Sequence, residues 1–443
     1  MHPYFTEEEI KRMRDGLNRR RVPGTYEPGK WDVSHQNRRS ETLVAPFPKH
    51  VTLRDITLRV IQQTPVVSVT REERLRLAEA LIEAGVTSLQ IGHRSQMEDP
   101  KPMIEEIRAL RSMGYQDIEL TSGGALNKAQ IDSVANTGLD VLNLQNPAVP
   151  EMTPLYFKVF RPAWRGEDWR KECTSMNAEE QTERTASLVA YAKQKGLKPS
   201  PCVNMLAYAQ DDYLRAYAKA MEEAGAYYIL LADGSSGLGP DACRHVVSVV
   251  KKAVSKCKVG AHVHNAFGLG VANCLAAIQG GADVVEVAMN NLCSASGQAC
   301  TAEVAVALEV LYGVNTGIKL EKLTGLRRLV EDITRIPMAQ MKPVTGERAW
   351  MYTSDWIWEE LKVEPLFHYS LEPEVVGNRK LHGLGQYAGN WSVWDKLQEL
   401  GVDIDRALVP EVVNLVKAEL LIRRRELTDE EVKEVAERVK ARA

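Results

Sequence analysis

YYILLADGSSGLGPDACRHVVSVVKKAVSKCKVGAHVHNAFGLGVANCLAAIQGGADVVEVA, residues 227–288, carries the rhythm that decides the fold. Three short apolar runs, Tyr227–Ala232, Val259–His264 and Val284–Ala288, alternate with two amphipathic stretches, Pro240–Val254 and Gly270–Gly280. Such runs read as buried strands and the stretches between them as helices, the signature of repeated βα units on a parallel sheet. Upstream, the same unit recurs. Strand one falls at 51–58, with a helix over Arg71–Ala84 ended by Gly85. Strand two is Ser88–Gly92, with a helix from Pro102 to Met113, and strand three is Asp117–Leu120, with a helix from Lys128 to Thr137. Strand four, Val141–Leu144, precedes a longer insertion at 150–177 containing Phe160, Trp164 and Trp169, then a helix from Glu180 to Gly196. Strand five, about Ser200–Leu206, is followed by a helix over Asp212–Ala224, and a last helix near Ala302–Tyr312 closes the series. Eight units in about 260 residues specify an α/β fold of the (β/α)8 TIM-barrel kind. A doubly wound open sheet needs a glycine-rich first βα turn; here that turn is IQQTPVVSVT (61–70), without glycine.

The barrel is therefore expected over 49–314, after an N-terminal arm (1–48) with Pro-Gly and Pro-x-Pro breaks. A helical C-terminal extension (315–443) follows, with helices at Lys319–Ile336, Trp391–Leu400, Pro410–Arg425 and Asp429–Ala441. The 443 residues carry 56 Lys+Arg against 59 Asp+Glu, a net charge of -3, so no nucleic-acid footprint is expected. The apolar runs are far shorter than the ~18 residues of a membrane span, and no secretory signal opens the chain, so the reading is a cytoplasmic protein without a membrane partner. Seven scattered cysteines (Cys173, Cys202, Cys243, Cys257, Cys274, Cys293, Cys300) form no C-x-x-C pair and read as reduced thiols.

In such barrels chemistry stands at the carboxyl ends of the strands. The segment HVHNAFG (262–268) is the most informative there, because residues two apart on a strand share a face, so His262 and His264 aim at one point. Two imidazoles make half of a divalent-metal site, or they hydrogen-bond to neighbours in a polar mouth; H-x-H alone leaves both open.

The run HVHNAFGLGVANCLAAIQGGADVVEVAMNN resembles the H-x-H-N-D-x-G-x-A-x-A-N segment of the DRE-TIM metallolyase superfamily, which includes isopropylmalate synthase, homocitrate synthase and 3-hydroxy-3-methylglutaryl-CoA lyase. DITLRVIQQTP (55–65) is similar to that family's D-x-T-L-R-D-G-x-Q-x-P segment, DGSSGLGP (233–240) to its turn after strand six, and EPEVVGNRKLHGLGQYAGN (372–390) to the synthases' link into their helical subdomain. The resemblance spans about residues 50–435. It implies one divalent cation, Zn, Mn or Mg, held by an aspartate, both histidines and an asparagine. Carried over position by position, the histidines are His262 and His264, whereas the aspartate falls on Val60 and the asparagine on Gln298; Ala266 replaces the aspartate after H-x-H-N. The metal set left by the resemblance is His262, His264 and Gln298. A second register, Thr52-Leu53-Arg54-Asp55, would restore an Arg-Asp pair but needs five extra residues before Thr70, so the ungapped register stands.

In that register Arg59 keeps the place of the arginine that grips an oxygen of the oxo acid or its enolate, and Gln63 keeps the family's glutamine. A guanidinium suits the task, being always charged and offering a planar fork of donors. Asp55, Thr57 and Arg59 would alternate along one strand, making Asp55 a partner for Arg59. Asn265 and Cys293 complete the expected substrate-binding set, although a buried, incidental thiol is the plainer reading of Cys293. The synthases' catalytic histidine in the extension has no counterpart in AWMYTSDWIWEEL (349–361), so Tyr352, Asp355, His368 or His382 would have to move that proton.

The resemblance implies Claisen or aldol chemistry: an acyl-CoA donor joined to a 2-oxo acid, with Arg59, His262 and His264 as the catalytic groups. Cleavage in the lyase direction and a catalytically silent ligand-binding paralogue are the alternatives. It also implies a small-molecule carboxylate substrate and a homodimer. A leucine-binding regulatory domain is not expected.

Overall fold

The structure is a computed structural model that describes residues 5–92, 99–149, 152 and 177–442. Residues 93–98, which follow strand two, and most of the 150–177 insertion lie outside the described residues. The chain divides into two compact units, residues 39–338 and residues 1–38 with 339–443. The first unit therefore runs past the boundary expected at 315, and the arm belongs to the same unit as most of the extension.

Unit 39–338 is a closed barrel of eight parallel strands: β1 (Thr52–Asp55), β2 (Ser88–Gly92), β3 (Glu119–Ala125), β4 (Val141–Pro147), β5 (Lys198–Asn204), β6 (Tyr228–Asp233), β7 (Lys258–Val263) and β8 (Val284–Val287). β8 closes on β1, pairing Glu286 with Arg54 and Val287 with Asp55. The helices between them are α1 (Arg71–Glu83), α2 (Lys101–Ser112), α3 (Lys128–Val134), α4 (Ala178–Gln194), α5 (Asp211–Ala224), α6 (Pro240–Ala253), α7 (Gly270–Gln279) and α8 (Thr301–Val306). Their starts are written in sequence. Thr70 with Glu73, and Asn177 with Glu180, form reciprocal capping boxes that satisfy the first free amides of α1 and α4.

The period of two sorts each strand. Leu53, Leu89, Ile91, Val203, Ile229, Leu231, Val259, Val263 and Val285 are buried apolar residues of alternate parity to the interior positions. The interior positions Arg54, Ser88, Gln90, Asn143, Ser200, His262 and Glu286 are buried and polar. Beside them, at the same inward parity, stand apolar clusters of Val141, Tyr228 and Val284 and of Cys202, Leu230 and Ala232, so a polar column runs along one side of the barrel interior.

Several elements differ from the sequence reading. β1 ends at Asp55, and Thr57–Val60 form one helical turn, because the Asp55 Oδ1 accepts the Thr57 amide at 2.8 Å and turns the chain. Asp55, Thr57 and Arg59 therefore do not alternate on a strand. The helix α9 (Leu323–Thr334) belongs to the barrel unit, since Lys319 N donates to Ala84 O at 2.8 Å and the Asn290 side chain donates to Arg327 O at 3.0 Å. Gly85, at φ +95°, lies so close to Gly317 that any Cβ would overlap the Gly317 carbonyl. Finally, the arm contains a helix, Glu7–Asn18, with a Thr6–Glu9 capping box.

The second unit contains α10 (Asp355–Val363), α11 (Asn390–Glu399), α12 (Val409–Arg423) and α13 (Asp429–Lys440). The last three share a core of Val393, Leu397, Val412, Val416, Val435 and Val439. The arm is tied into this unit by Arg14 Nε donating to Val363 O at 2.6 Å and by Arg21 between Asp32 and Glu364. Among the described residues no helix is long and apolar enough to cross a membrane.

Candidate active site

The polar column begins with Arg54, completely buried. Its guanidinium meets Glu286 Oε1 at 3.3 Å and Glu119 Oε1 at 3.2 Å, donates to Ser88 Oγ at 3.1 Å, and lies 4.8 Å from the Tyr228 ring centroid. Burial opposes its charge, but the two carboxylates more than compensate and raise its pKa. One step along the axis, Glu286 Oε2 lies 2.7 Å from His262 Nδ1. Burial alone would raise the Glu286 carboxyl; the His262 hydrogen bond and the guanidinium charges of Arg54 and Arg59 bring it down to about 2.

The next contacts form an unbroken chain. Gln298 Nε2 is 3.2 Å from His262 Nε2 and 2.7 Å from His264 Nε2. A carboxylate only accepts, so His262 Nδ1 carries a proton, and Gln298 turns its amide nitrogen, a donor, toward Nε2. The second amide hydrogen then meets His264 Nε2, placing that ring's proton on Nδ1. Burial, reinforced by His262 and the Arg59 charge, lowers the His264 pKa to about 3, so this imidazole is neutral.

At the carboxyl ends of the strands opens a cavity of about 580 Å³, lined by Arg59 and Gln63 from beyond β1, His262 from β7 and His264 just past its end, Glu286 from β8, and Cys293 and Ser294 beyond it. Three of the expected catalytic groups thus share one wall. Its opposite side is amide-rich: Gln90, Asn143, Gln145 and Asn204, with Asn204 Nδ2 donating to Gln145 Oε1 at 2.7 Å. Gln90 Oε1 and Asn143 Oδ1 are buried and find no hydrogen-bond partner among the described residues. Buried acceptors are normally satisfied, so these two are where a ligand's donors fit.

Other expected residues take different places. Asp55 is fully buried away from the cavity wall, its Oδ2 accepting from Thr301 Oγ1 at 2.7 Å and its Oδ1 from Thr57 N; Thr57 Oγ1 in turn accepts the Met289 amide at 2.8 Å. It stitches the turn carrying Arg59 to the chain beyond β8 rather than pairing with Arg59. Asn265 caps α7, its Oδ1 accepting the Gly270 amide at 2.8 Å, and does not line the cavity. Gln298 is fully buried beneath the imidazoles. Cys293 lies in the wall with its thiol 3.8 Å from Gln63 Oε1. Its loop is strained: Asn290, Asn291, Cys293 and Ala295 all have positive φ, as backbone at functional sites often does.

In the second unit, Asp355 accepts the Ser392 amide at 2.7 Å, Tyr352 donates to His368 O at 3.1 Å, and His368 pairs with Glu360. His382 stacks on Trp358 with centroids 3.9 Å apart, and burial lowers its pKa to about 4. Each has a local packing or capping role.

The residues at the histidine pair do not fit the dication that the resemblance implied. Val60 supplies no ligand atom, and among the described residues no group of three His, Cys, Asp or Glu could hold an ion. Gln298 turns a nitrogen, which cannot ligate while it is an amide donor, toward both imidazoles. Sequence reasoning missed Arg54, Glu286, Gln90 and Asn143; the available signal was a lone glutamate inside the apolar run VVEVA, two residues after Val284 and level with His262.

Residues 167–330 match the HMGL-like family. Homocitrate synthase of Methanopyrus kandleri is 30% identical over 393 residues, covering 89% of this chain and 93% of that protein. The 2-isopropylmalate synthase of Methanocaldococcus jannaschii is 29% identical over 397 residues, covering 89% and 72% respectively. The structure of an HMG-CoA lyase from Acinetobacter baumannii in complex with coenzyme A and 3-methylmalate shares the fold, with a TM-score of 0.52 at 18% identity over 70% of this chain and 95% of that one.

Proposed function

The chain belongs to the HMGL-like, DRE-TIM family, and from that membership we propose that it is an enzyme of Claisen type, joining an acyl-CoA-like donor to a 2-oxo acid through an enolate-like intermediate. The observation that carries the reading is the convergence of Arg59, His262 and His264 on one cavity. Arg59 offers paired donors to the acid's carboxylate, which fixes the neighbouring carbonyl in the wall. Removal of the donor's α-proton by a general base gives the enolate, whose carbon bonds to that carbonyl carbon as the C=O π pair moves onto oxygen; the alkoxide takes up a proton, and hydrolysis of the thioester releases the thiol. Neutral His264, carrying its proton on Nδ1, supplies an N–H to that developing charge, as oriented donors in a water-poor site do. His262 holds the tautomer, backed by Glu286. Hydroxyl or amide groups on the acceptor's tail would satisfy Gln90 and Asn143. A cytoplasmic homodimer handling small carboxylates is the setting that accompanies this reading, and sedimentation of the purified chain tests the dimer.

The test is a panel of 2-oxo acids presented with acetyl-CoA, read as release of free thiol and as mass of the condensed acid. Turnover is expected with at least one acceptor and its loss in Arg59→Ala. Cleavage of the condensed acids without any condensation would assign the lyase direction; neither reaction with any acceptor would overturn the proposal.

A further inference from the structure

We propose that the carboxamide of Gln298 replaces a divalent cation at the histidine pair, clasping both imidazoles through its two N–H groups, so that the site works without a bound dication. Three observations carry this. The first is spacing. Ligands on one zinc ion stand about 2.1 Å from it and therefore more than about 3 Å from each other. Gln298 Nε2 lies 2.7 Å from His264 Nε2, closer than two ligands of one ion stand, and 3.2 Å from His262 Nε2; both are direct hydrogen bonds.

The second is polarity. Glu286 accepts at His262 Nδ1 and is itself held by Arg54, which fixes that ring. Gln298 turns its amide nitrogen, a donor, toward Nε2 of both rings. A metal would require the opposite end of the amide.

The third is rigidity. Gln298 is fully buried, its backbone bridges that of His264, its carbonyl accepts from Asn291 Nδ2 at 2.8 Å, and the adjacent Gly297 carbonyl accepts the Asn265 amide at 3.0 Å. Gly297, at φ +74°, sits where any Cβ would overlap the Asn291 carbonyl, so the backbone leading into Gln298 is closely held. With Val60 in the place where a carboxylate would be needed, both changes point the same way.

The experiment is metal analysis and histidine NMR on the full chain. Wild-type protein is incubated with excess Zn2+, desalted and assayed, with His262→Ala/His264→Ala as reference. Wild type is expected to retain below about 0.1 zinc per chain above that reference. In 15N-histidine spectra both rings are expected as neutral Nδ1–H tautomers that do not shift on adding Zn2+. The shorter Gln298→Asn, which cannot reach both rings, is expected to bind Zn2+ at least about ten-fold more tightly than wild type. One equivalent of zinc in wild type that is lost with the two histidines, or a zinc-induced shift of either ring, would overturn the proposal. A folded Gln298→Asn no better than wild type would also overturn it, by showing that something other than Gln298 keeps the ion out.

Discussion

The lower and upper parts of the barrel interior are both polar, yet they are finished differently. Around Arg54 every charge has a counter-charge: the guanidinium faces Glu286 and Glu119, and its Nε donates to Ser88. At the mouth stand amides, the two imidazoles and Arg59, and Gln90 Oε1 and Asn143 Oδ1 find no partner among the described residues. The closed layer has nothing further to bind and can only orient; the open layer is where a guest completes the hydrogen bonding. Glu286 belongs to both, giving one oxygen to Arg54 and the other to His262.

Breaking the closed layer should have the largest effect. Arg54→Met takes the counter-charge from buried Glu286 and part-buried Glu119, and stability is expected to fall by about 3–5 kcal/mol in denaturant titration; a loss below about 1 kcal/mol would show the layer to be ordinary packing. Arg59→Ala, in the open layer, should leave the melting temperature nearly unchanged while lowering kcat/KM by about 100-fold or more. Asn143→Leu removes an unsatisfied acceptor, so the empty protein is expected to gain about 1 kcal/mol while KM for a hydroxylated acceptor rises. An unchanged KM would detach Asn143 from the guest.

The smallest effect lies outside both layers. Glu222 accepts the amides of Ser255 and Cys257 at 2.8 and 2.9 Å as well as that of Lys256. Burial works against its charge, but these bonds bring its pKa down to about 2. The folded value lies below the unfolded one, so its stabilisation is present above about pH 4.3 and fades as pH falls toward 2. Glu222→Gln should flatten that acid limb in a pH-dependent melt and leave catalysis alone.

The barrel was legible because buried parallel strands and their covering helices write two different periods into the chain. Arg59, Gln63, His262 and His264 were legible because the resemblance fixed their register, and the cavity gathers all four. Asp55 and Asn265 were not, because a short polar side chain at a strand end serves equally well as a ligand group or as a cap, and only hydrogen-bond partners distinguish the two. The interior partners were hidden for another reason. Gln90, Asn143 and Glu286 sit inside runs otherwise apolar, and a single sequence does not say which strand positions share a level around a barrel. Arg54 drew notice only as part of a rival motif register, and its actual place among Glu119, Glu286 and Tyr228 depends on three distant strands.

The stitch through Asp55, Thr57, Thr301 and Met289 joins the first stave to the chain just past the eighth. The aim of the Arg59 guanidinium is therefore settled by the same bonds that complete the ring. A growing polypeptide that has not yet delivered its eighth strand holds Arg59 without that aim, so affinity for a carboxylate guest would serve as a reporter of ring completion during refolding.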